Sequence, residues 1–203
     1  MEIFVLIVEY GANMNQTFIP KQWEKEEYQS RAHTVFEQVD SYLSTPPKRI
    51  LDIGCGYAYI SQQFQKKYGT ELWLLEGDFN TTNDRERKAS WGDVDTMKFY
   101  LPVKQLKKYW DDQNILYNFV DANNIHINNN LTFDFVCSWL SCGYHYPVAT
   151  YQSLIKKHTN SSSVIIMDIR TKTLNKQQSI EVVKKLDHDS GKRSRLHYKF
   201  KTN

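Results

Sequence analysis

Two glycines, Gly54 and Gly56, follow the short apolar run Arg49-Ile-Leu-Asp-Ile53 within Ile50-Leu-Asp-Ile-Gly-Cys-Gly-Tyr-Ala-Tyr-Ile60. Lacking a Cβ, they let the backbone turn sharply and let a ligand come close to it. Asp52 stands two residues before Gly54, and Glu76 ends the next apolar run, Leu72-Trp-Leu-Leu75. Where two such runs are strands of one parallel sheet, both carboxylates reach the crevice at the strands' carboxyl ends. An acid ending the second strand is placed to take the two hydroxyls of a ribose. A second dense stretch is Ser138-Trp-Leu-Ser-Cys-Gly-Tyr-His-Tyr-Pro147. The imidazole of His145 titrates near neutral pH and can take a proton from a hydroxyl or amine. Tyr144 and Tyr146 can orient it, or offer aromatic faces to a positive charge. The competing reading packs Trp139, Tyr144 and Tyr146 under a helix that starts near Pro147 and leaves His145 an ordinary loop residue. Nothing local marks Cys142 as a stabilised thiolate.

These residues need elements to carry them. Tyr28, Ala32, Val35, Phe36, Val39, Tyr42 and Leu43 recur at steps of three and four, which predicts a helix from about Trp23 to Leu43, ended by Pro46 and Pro47. Arg49 to Ile53 reads as a strand buried on both faces, and a helix follows with Tyr57, Ile60 and Phe64 inward. Further strands are expected at Leu72–Leu75, Leu116–Val120, Phe133–Trp139 and Val164–Ile169. Val148, Tyr151, Leu154 and Ile155 mark a helix between the last two. Ile180 to Leu186 and Leu196 to Phe200 alternate on either side of Asp187-His-Asp-Ser-Gly191, as a closing antiparallel pair would. The fold class expected is α/β: a three-layer sandwich around a seven-stranded, mostly parallel sheet with its last strand antiparallel. Residues from about 77 to 114 exceed the needs of a crossover. They are read as an insertion holding a solvated charged face at Asp84–Lys88, a strand-like piece at Phe99-Tyr-Leu101 and a helix over Val103 to Trp110. Lys192-Arg-Ser-Arg195 is expected to be a solvated strand edge, with attraction of an anionic substrate as a second reading. His126, His158, His188 and His197 share no spacing and are expected at the surface.

Composition bounds the function. The chain has 203 residues and 40% hydrophobic side chains, enough for one ordinary domain with a core. Residues 21–203 are taken as that domain and residues 1–20 as a leader or extra strand. The run Ile3 to Val8 is too short to span a bilayer. Lys and Arg total 26 against 23 Asp and Glu, a net charge of +3. That balance does not suit a surface built to hold nucleic acid as an obligate partner. Cys55, Cys137 and Cys142 form no paired framework and no zinc spacing, so a reduced, cytoplasmic setting is expected.

The stretch Leu51-Asp-Ile-Gly-Cys-Gly56, with Glu76 in register, resembles the glycine-rich first motif of class I S-adenosylmethionine-dependent methyltransferases, and the resemblance extends over about residues 48–170. It implies a Rossmann-like methyltransferase fold with S-adenosylmethionine as cofactor. Gly54 and Gly56 would pack against the methionine part, Glu76 would hold the ribose, and Asp121 in Phe119-Val-Asp-Ala122 would meet the adenine. Asp52 suits a cationic methionine moiety, and Ala122 and Ser138 join the cofactor-binding set. Ala58 departs from the family pattern, standing where a third glycine is common. The pattern Gly-x-Gly-x-Ala differs from the dinucleotide fingerprint Gly-x-Gly-x-x-Gly; a nicotinamide or flavin dinucleotide and a purely structural turn remain the alternatives. The loop after the fourth strand lines the transfer site in this family, which makes His145, with Tyr146 beside it, the expected catalytic pair. No Asn/Asp-Pro-Pro-Tyr/Phe motif and no Pro-Cys pair is present, and Asp168 is the one carboxylate placed for a metal. The resemblance therefore implies metal-independent methyl transfer to an oxygen or nitrogen of a small molecule. Alternatives are a protein that binds the cofactor without transferring from it, and an enzyme that cleaves the cofactor itself.

Overall fold

The computed structural model describes residues 26–77, 102–187 and 193–201. The leader at 1–20, the charged stretch Asp84–Lys88, the piece at Phe99–Leu101 and His188 lie outside them. In chain order the elements are α1 (Glu26–Tyr42), β1 (Arg49–Ile53), α2 (Ser61–Tyr68), β2 (Glu71–Glu76), α3 (Val103–Asp112), β3 (Tyr117–Asp121) and β4 (Phe135–Ser138). They continue through a 3-10 turn (Val148–Tyr151), α4 (Gln152–Lys157), β5 (Val164–Arg170), β6 (Ile180–Lys185) and β7 (Arg193–Phe200).

Seven strands form one sheet in the order β3-β2-β1-β4-β5-β7-β6. All neighbours are parallel except β7, which runs antiparallel to β5 and to β6. The expected sandwich and its antiparallel last strand are therefore present. Alternation along β1 sends Ile50 and Asp52 to one face and Leu51 and Ile53 to the other. On the first face Ile50, Leu72, Leu74 and Phe135 pack with Ala32, Val35, Phe36 and Val39 of α1, Phe64 of α2, and Leu106 and Trp110 of α3. On the second, Leu51, Ile53, Leu75 and Val136 pack with Val148, Tyr151 and Ile155. Both faces of β1 are covered, which is why its sequence is mostly apolar, with Asp52 the one charged residue fully buried in it.

Several expectations shift. β3 begins at Tyr117, because Leu116 is 78% exposed. α2 begins at Ser61, so Tyr57 and Ile60 are buried from the turn before it. His158 is buried, not superficial: its Nδ1 donates to the Leu131 carbonyl at 2.8 Å, where it closes the loop leading to β4. His197 is half-buried against the Tyr42 hydroxyl at 2.7 Å. The largest correction concerns Arg193 and Arg195. They are 7% and 2% exposed, because β7 lies between β5 and β6 and is not the edge of the sheet.

Candidate functional site

β1 and β4 are neighbours from which the chain winds outward in opposite directions, and ligands of open α/β sheets bind in the crevice at such a switch. A cavity of about 300 Å³ opens there. Its walls include the glycine turn Gly54–Ile60, Glu76 at the end of β2, Trp139, Leu140, Ser141, Tyr144 and His145 after β4, and Tyr28 and Arg31 from α1.

The glycine turn is held against β2, since the N–H groups of Gly54 and Cys55 both donate to the Leu75 carbonyl, at 2.7 and 3.3 Å. Gly54 and Gly56 have φ of +66° and +50°, in the left-handed region that side chains disfavour. A Cβ on Gly54 would overlap Ser141 Oγ and lie 2.6 Å from Ser141 Cβ. Gly56 is different: nothing stands within 4 Å of where its Cβ would be, and that space faces the cavity. Ala58, at the third-glycine position, also has a positive φ of 54°, so the backbone there is as a glycine would hold it.

Glu76 ends β2 with one carboxylate oxygen accepting the Gly56 N–H at 2.9 Å and the other accepting the Gly77 N–H at 3.0 Å. Its side chain is thereby aimed at the turn and into the cavity. Asp52 does not reach the cavity. It shares the β1 face that packs under α2, is fully buried, and accepts the Ser61 hydroxyl at 2.5 Å. Burial pushes its carboxyl up to about 7, and the charge of Glu76 adds to the rise, while the Ser61 hydrogen bond opposes it. The two acids that flank the turn in sequence thus occupy different places, one on the wall and one beneath it.

Asp121 lies opposite Glu76 in the β2–β3 register, is exposed, and accepts the Asn123 N–H at 2.8 Å. Ala122 donates its N–H to the Glu76 carbonyl at 3.0 Å. Ser138 is buried outside the cavity lining. Its hydroxyl donates to the Ile53 carbonyl at 2.7 Å and accepts the Cys142 N–H at 2.8 Å, which ties the loop after β4 to the end of β1. That loop is pinned again where Arg170 donates to the Tyr144 carbonyl at 3.0 Å and lies over the Tyr144 ring at 4.5 Å. His145 lines the cavity, its ring centroid 5.1 Å from that of Tyr144. Tyr146 stands one layer back, buried, with its hydroxyl 3.0 Å from Ser141 Oγ. Burial pushes the thiols of Cys55, Cys137 and Cys142 up, which keeps them protonated near neutral pH.

Sequence reasoning missed Ser141 and Trp139 as lining residues; for Lys192–Arg195 it placed the solvated strand edge first and attraction of an anion second, and missed that Arg193 and Arg195 are buried in the cavity wall. Asp168 of β5 lies opposite Arg195 of β7, and Arg193 is two residues away on the same face. Arg193 Nη1 is 2.5 Å from Asp168 Oδ2, and Arg195 Nε is 3.0 Å from Asp168 Oδ1. Asp187 lies 3.7 Å from Arg193 and 3.6 Å from Arg195. Arg193, Arg195 and Asp168 all line the cavity. The signal available was the i, i+2 spacing of the two arginines in a strand pattern.

No protein-family model matches the sequence, and no curated protein matches it. Solved structures do match by shape. A ribosomal protein L11 methylase from Lactobacillus delbrueckii subsp. bulgaricus superposes with a TM-score of 0.51 at 13% identity, over 88% of this chain and 81% of that one. A methyltransferase from Pyrococcus furiosus gives 0.54 at 15% identity, over 82% of each chain. The plantazolicin methyltransferase BpumL, in complex with a monoazolic desmethylPZN analog and SAH, gives 0.51 at 17% identity, over 78% of this chain and 55% of that one. With its strand order and antiparallel β7, the chain has the fold of the class I methyltransferases.

Proposed function

We propose that this chain is an S-adenosylmethionine-dependent methyltransferase acting on an oxygen or nitrogen of a small-molecule acceptor. The observation that carries the reading is Glu76, buried at the end of β2 and fixed by the N–H groups of Gly56 and Gly77 beside a glycine turn that leaves open space over Gly56. A carboxylate so placed can accept both hydroxyls of a ribose, and the adjoining cavity of about 300 Å³ is at the lower end of the range that holds small ligands and cofactors. Gly54 and Gly56 form the floor under the methionine part, and Asp121 and Ala122, beside Glu76 across the β2–β3 register, flank the adenine side. Asp52 and Ser138 support that floor from below and from the side. The likeness to BpumL, crystallised with SAH, supports the same cofactor.

S-adenosylmethionine supplies, when bound, an electrophilic methyl group on a sulfonium. The chain's own work is positioning and proton removal. His145 is assigned as the base that takes the proton of the acceptor's O–H or N–H, with Tyr144 beside it and the Ser141–Tyr146 pair behind. The hydrogen bonds of Ser138 and Arg170 hold this loop still, and alignment of nucleophile and methyl supplies much of the rate. No helix among the described residues is long and apolar enough to cross a membrane. Three free, buried thiols suit a reducing compartment, and we place the protein in the cytoplasm.

Calorimetry of the chain with S-adenosylmethionine, S-adenosylhomocysteine and NAD tests the reading. Both sulfur nucleotides should bind, NAD should not, and Glu76→Ala should weaken them by about tenfold or more, the loss of charge-assisted hydrogen bonds. Binding of NAD alone would overturn it.

A further inference from the structure

The cavity is electrically lopsided along the sheet. Its acid end is Glu76 on β2. Its lining also includes the guanidinium groups of Arg193 and Arg195 on β7 and Arg31 on α1, with the carboxylate of Asp168 in the lining and that of Asp187 paired with both β7 arginines from behind it. Between β2 and β7 stand β1, β4 and β5, so at about 4.8 Å per strand the two ends are anchored roughly 19 Å apart, with the His145 loop rising from β4 between them. The Arg195 guanidinium also lies over the Trp139 ring at 5.3 Å.

Burying two arginines is costly even with partners, and a well-packed apolar pair is often as stable or more so. Here Arg195 is held by Asp168, Gln38 and Asp187. Asp168 accepts from its Nη2 at 3.3 Å and pairs by charge with its Nε at 3.0 Å, a contact that lacks hydrogen-bond alignment; Gln38 accepts from its Nη1 at 2.7 Å, and its backbone N–H donates to Asp187 at 2.7 Å. Arg193 is braced by the same Asp168 and Asp187. The result is a preorganised pair of forked cations facing a ligand cavity, the arrangement that binds planar or tetrahedral oxyanions through paired N–H groups.

Resting on the methyltransferase reading, we propose that Arg193 and Arg195, positioned by Asp168, are the acceptor subsite, and that the acceptor carries an oxyanion, a carboxylate or a phosphate monoester. The anion anchors at β7, and the nucleophilic atom is presented toward His145. Asp168 is a positioning residue: it touches the arginines and fixes where their charge points.

The test uses the chain saturated with S-adenosylhomocysteine and titrated calorimetrically with benzoate, phenyl phosphate, benzamide and benzyl alcohol, simple aromatic probes suited to the walls of Trp139 and Tyr144. At least one of the two anions should bind about tenfold or more tightly than both neutral probes, and comparison of benzoate with phenyl phosphate identifies the oxyanion. Arg193→Gln and Arg195→Gln should each reduce the anion's affinity by about tenfold while leaving S-adenosylhomocysteine affinity within about twofold. Arg195→Lys should recover part of the loss, because charge returns without the fork. Equal binding of anions and neutral probes by the unaltered chain would overturn the subsite without any variant. An equal loss of probe and S-adenosylhomocysteine in the variants would assign the arginines to the cofactor's carboxylate instead, and would also overturn it. Failure of the unaltered chain to bind S-adenosylhomocysteine is a separate result, and it would remove the methyltransferase reading itself.

Discussion

Gly54→Ala should be among the most damaging single-methyl additions in the glycine turn, for two separable reasons. The first is backbone: a φ of +66° costs an alanine roughly 1–2 kcal/mol relative to glycine. The second is space. The new methyl would overlap Ser141 Oγ and stand 2.6 Å from Ser141 Cβ, with the Tyr146 hydroxyl 3.4 Å away. Overpacking of this kind typically costs a further 1–3 kcal/mol or so, giving about 2–5 kcal/mol in all. Gly56→Ala isolates the backbone part, because φ there is +50° and the methyl meets nothing within 4 Å. It should cost about 1–2 kcal/mol. Urea unfolding of both variants, with Ser141→Gly and Gly54→Ala/Ser141→Gly, completes a double-mutant cycle. Removing the serine side chain should return the steric part of the Gly54→Ala loss and none of the backbone part. Equal destabilisation by the two alanines, or a cycle with no coupling between positions 54 and 141, would refute the close approach of the loop after β4 to the turn. Cofactor binding should rank the variants differently. Gly56→Ala, mild in the free protein, fills the open side of the turn and should weaken S-adenosylhomocysteine by more than its stability loss suggests.

Two further outcomes follow from the buried acid and from the base. Asp52 has a folded pKa raised to about 7 by burial, above its unfolded value of about 3.9. Its contribution to stability is therefore fully present below pH ~4 and is lost as pH rises toward 7. Asp52→Asn keeps the shape and cannot ionise, so its stability relative to the unaltered chain should climb across that window, by on the order of 4 kcal/mol in total. Parallel unfolding curves for the two proteins between these pH values would show that Asp52 is solvated or ion-paired instead. His145→Ala should lower turnover, measured once an acceptor is in hand, by about 10²–10⁴-fold while changing S-adenosylhomocysteine affinity only a few-fold. Equal loss of both would make His145 part of the scaffold.

The parts of the site that were legible in the sequence are those whose signals are local. Arg49 to Ile53 reads as a strand from five consecutive residues, and its observed bounds are the same. Gly54 and Gly56 declare the turn because positive φ is cheap for them, and Glu76 falls at a strand end because an apolar run stops there. Asp52 was misplaced for a reason that is also local. Strand alternation puts Asp52 on the face of Ile50, which packs under α2, so the side chain meets Ser61 instead of the crevice. The burial of Arg193 and Arg195 was illegible for a different reason. Their i, i+2 spacing fixes a shared face in any strand, but whether that face meets water depends on β7 inserting between β5 and β6, a pairing set by residues far away in the chain.

Asp52 and Asp168 show the same dependence on distant pairing. Both are fully buried acids on the same face of the sheet, on strands separated by β4 alone. Asp52 is offered a hydroxyl and an unfavourable neighbour in Glu76, and its carboxyl rises toward neutrality. Asp168 is offered two guanidinium groups and is held as half of an ion-pair network. The same residue type in the same layer thus meets different surroundings according to what the neighbouring strands and helices supply. Beneath the glycine turn the sheet turns a buried acid inward against Ser61, and at β5 it sets one between two guanidinium groups that line the cavity.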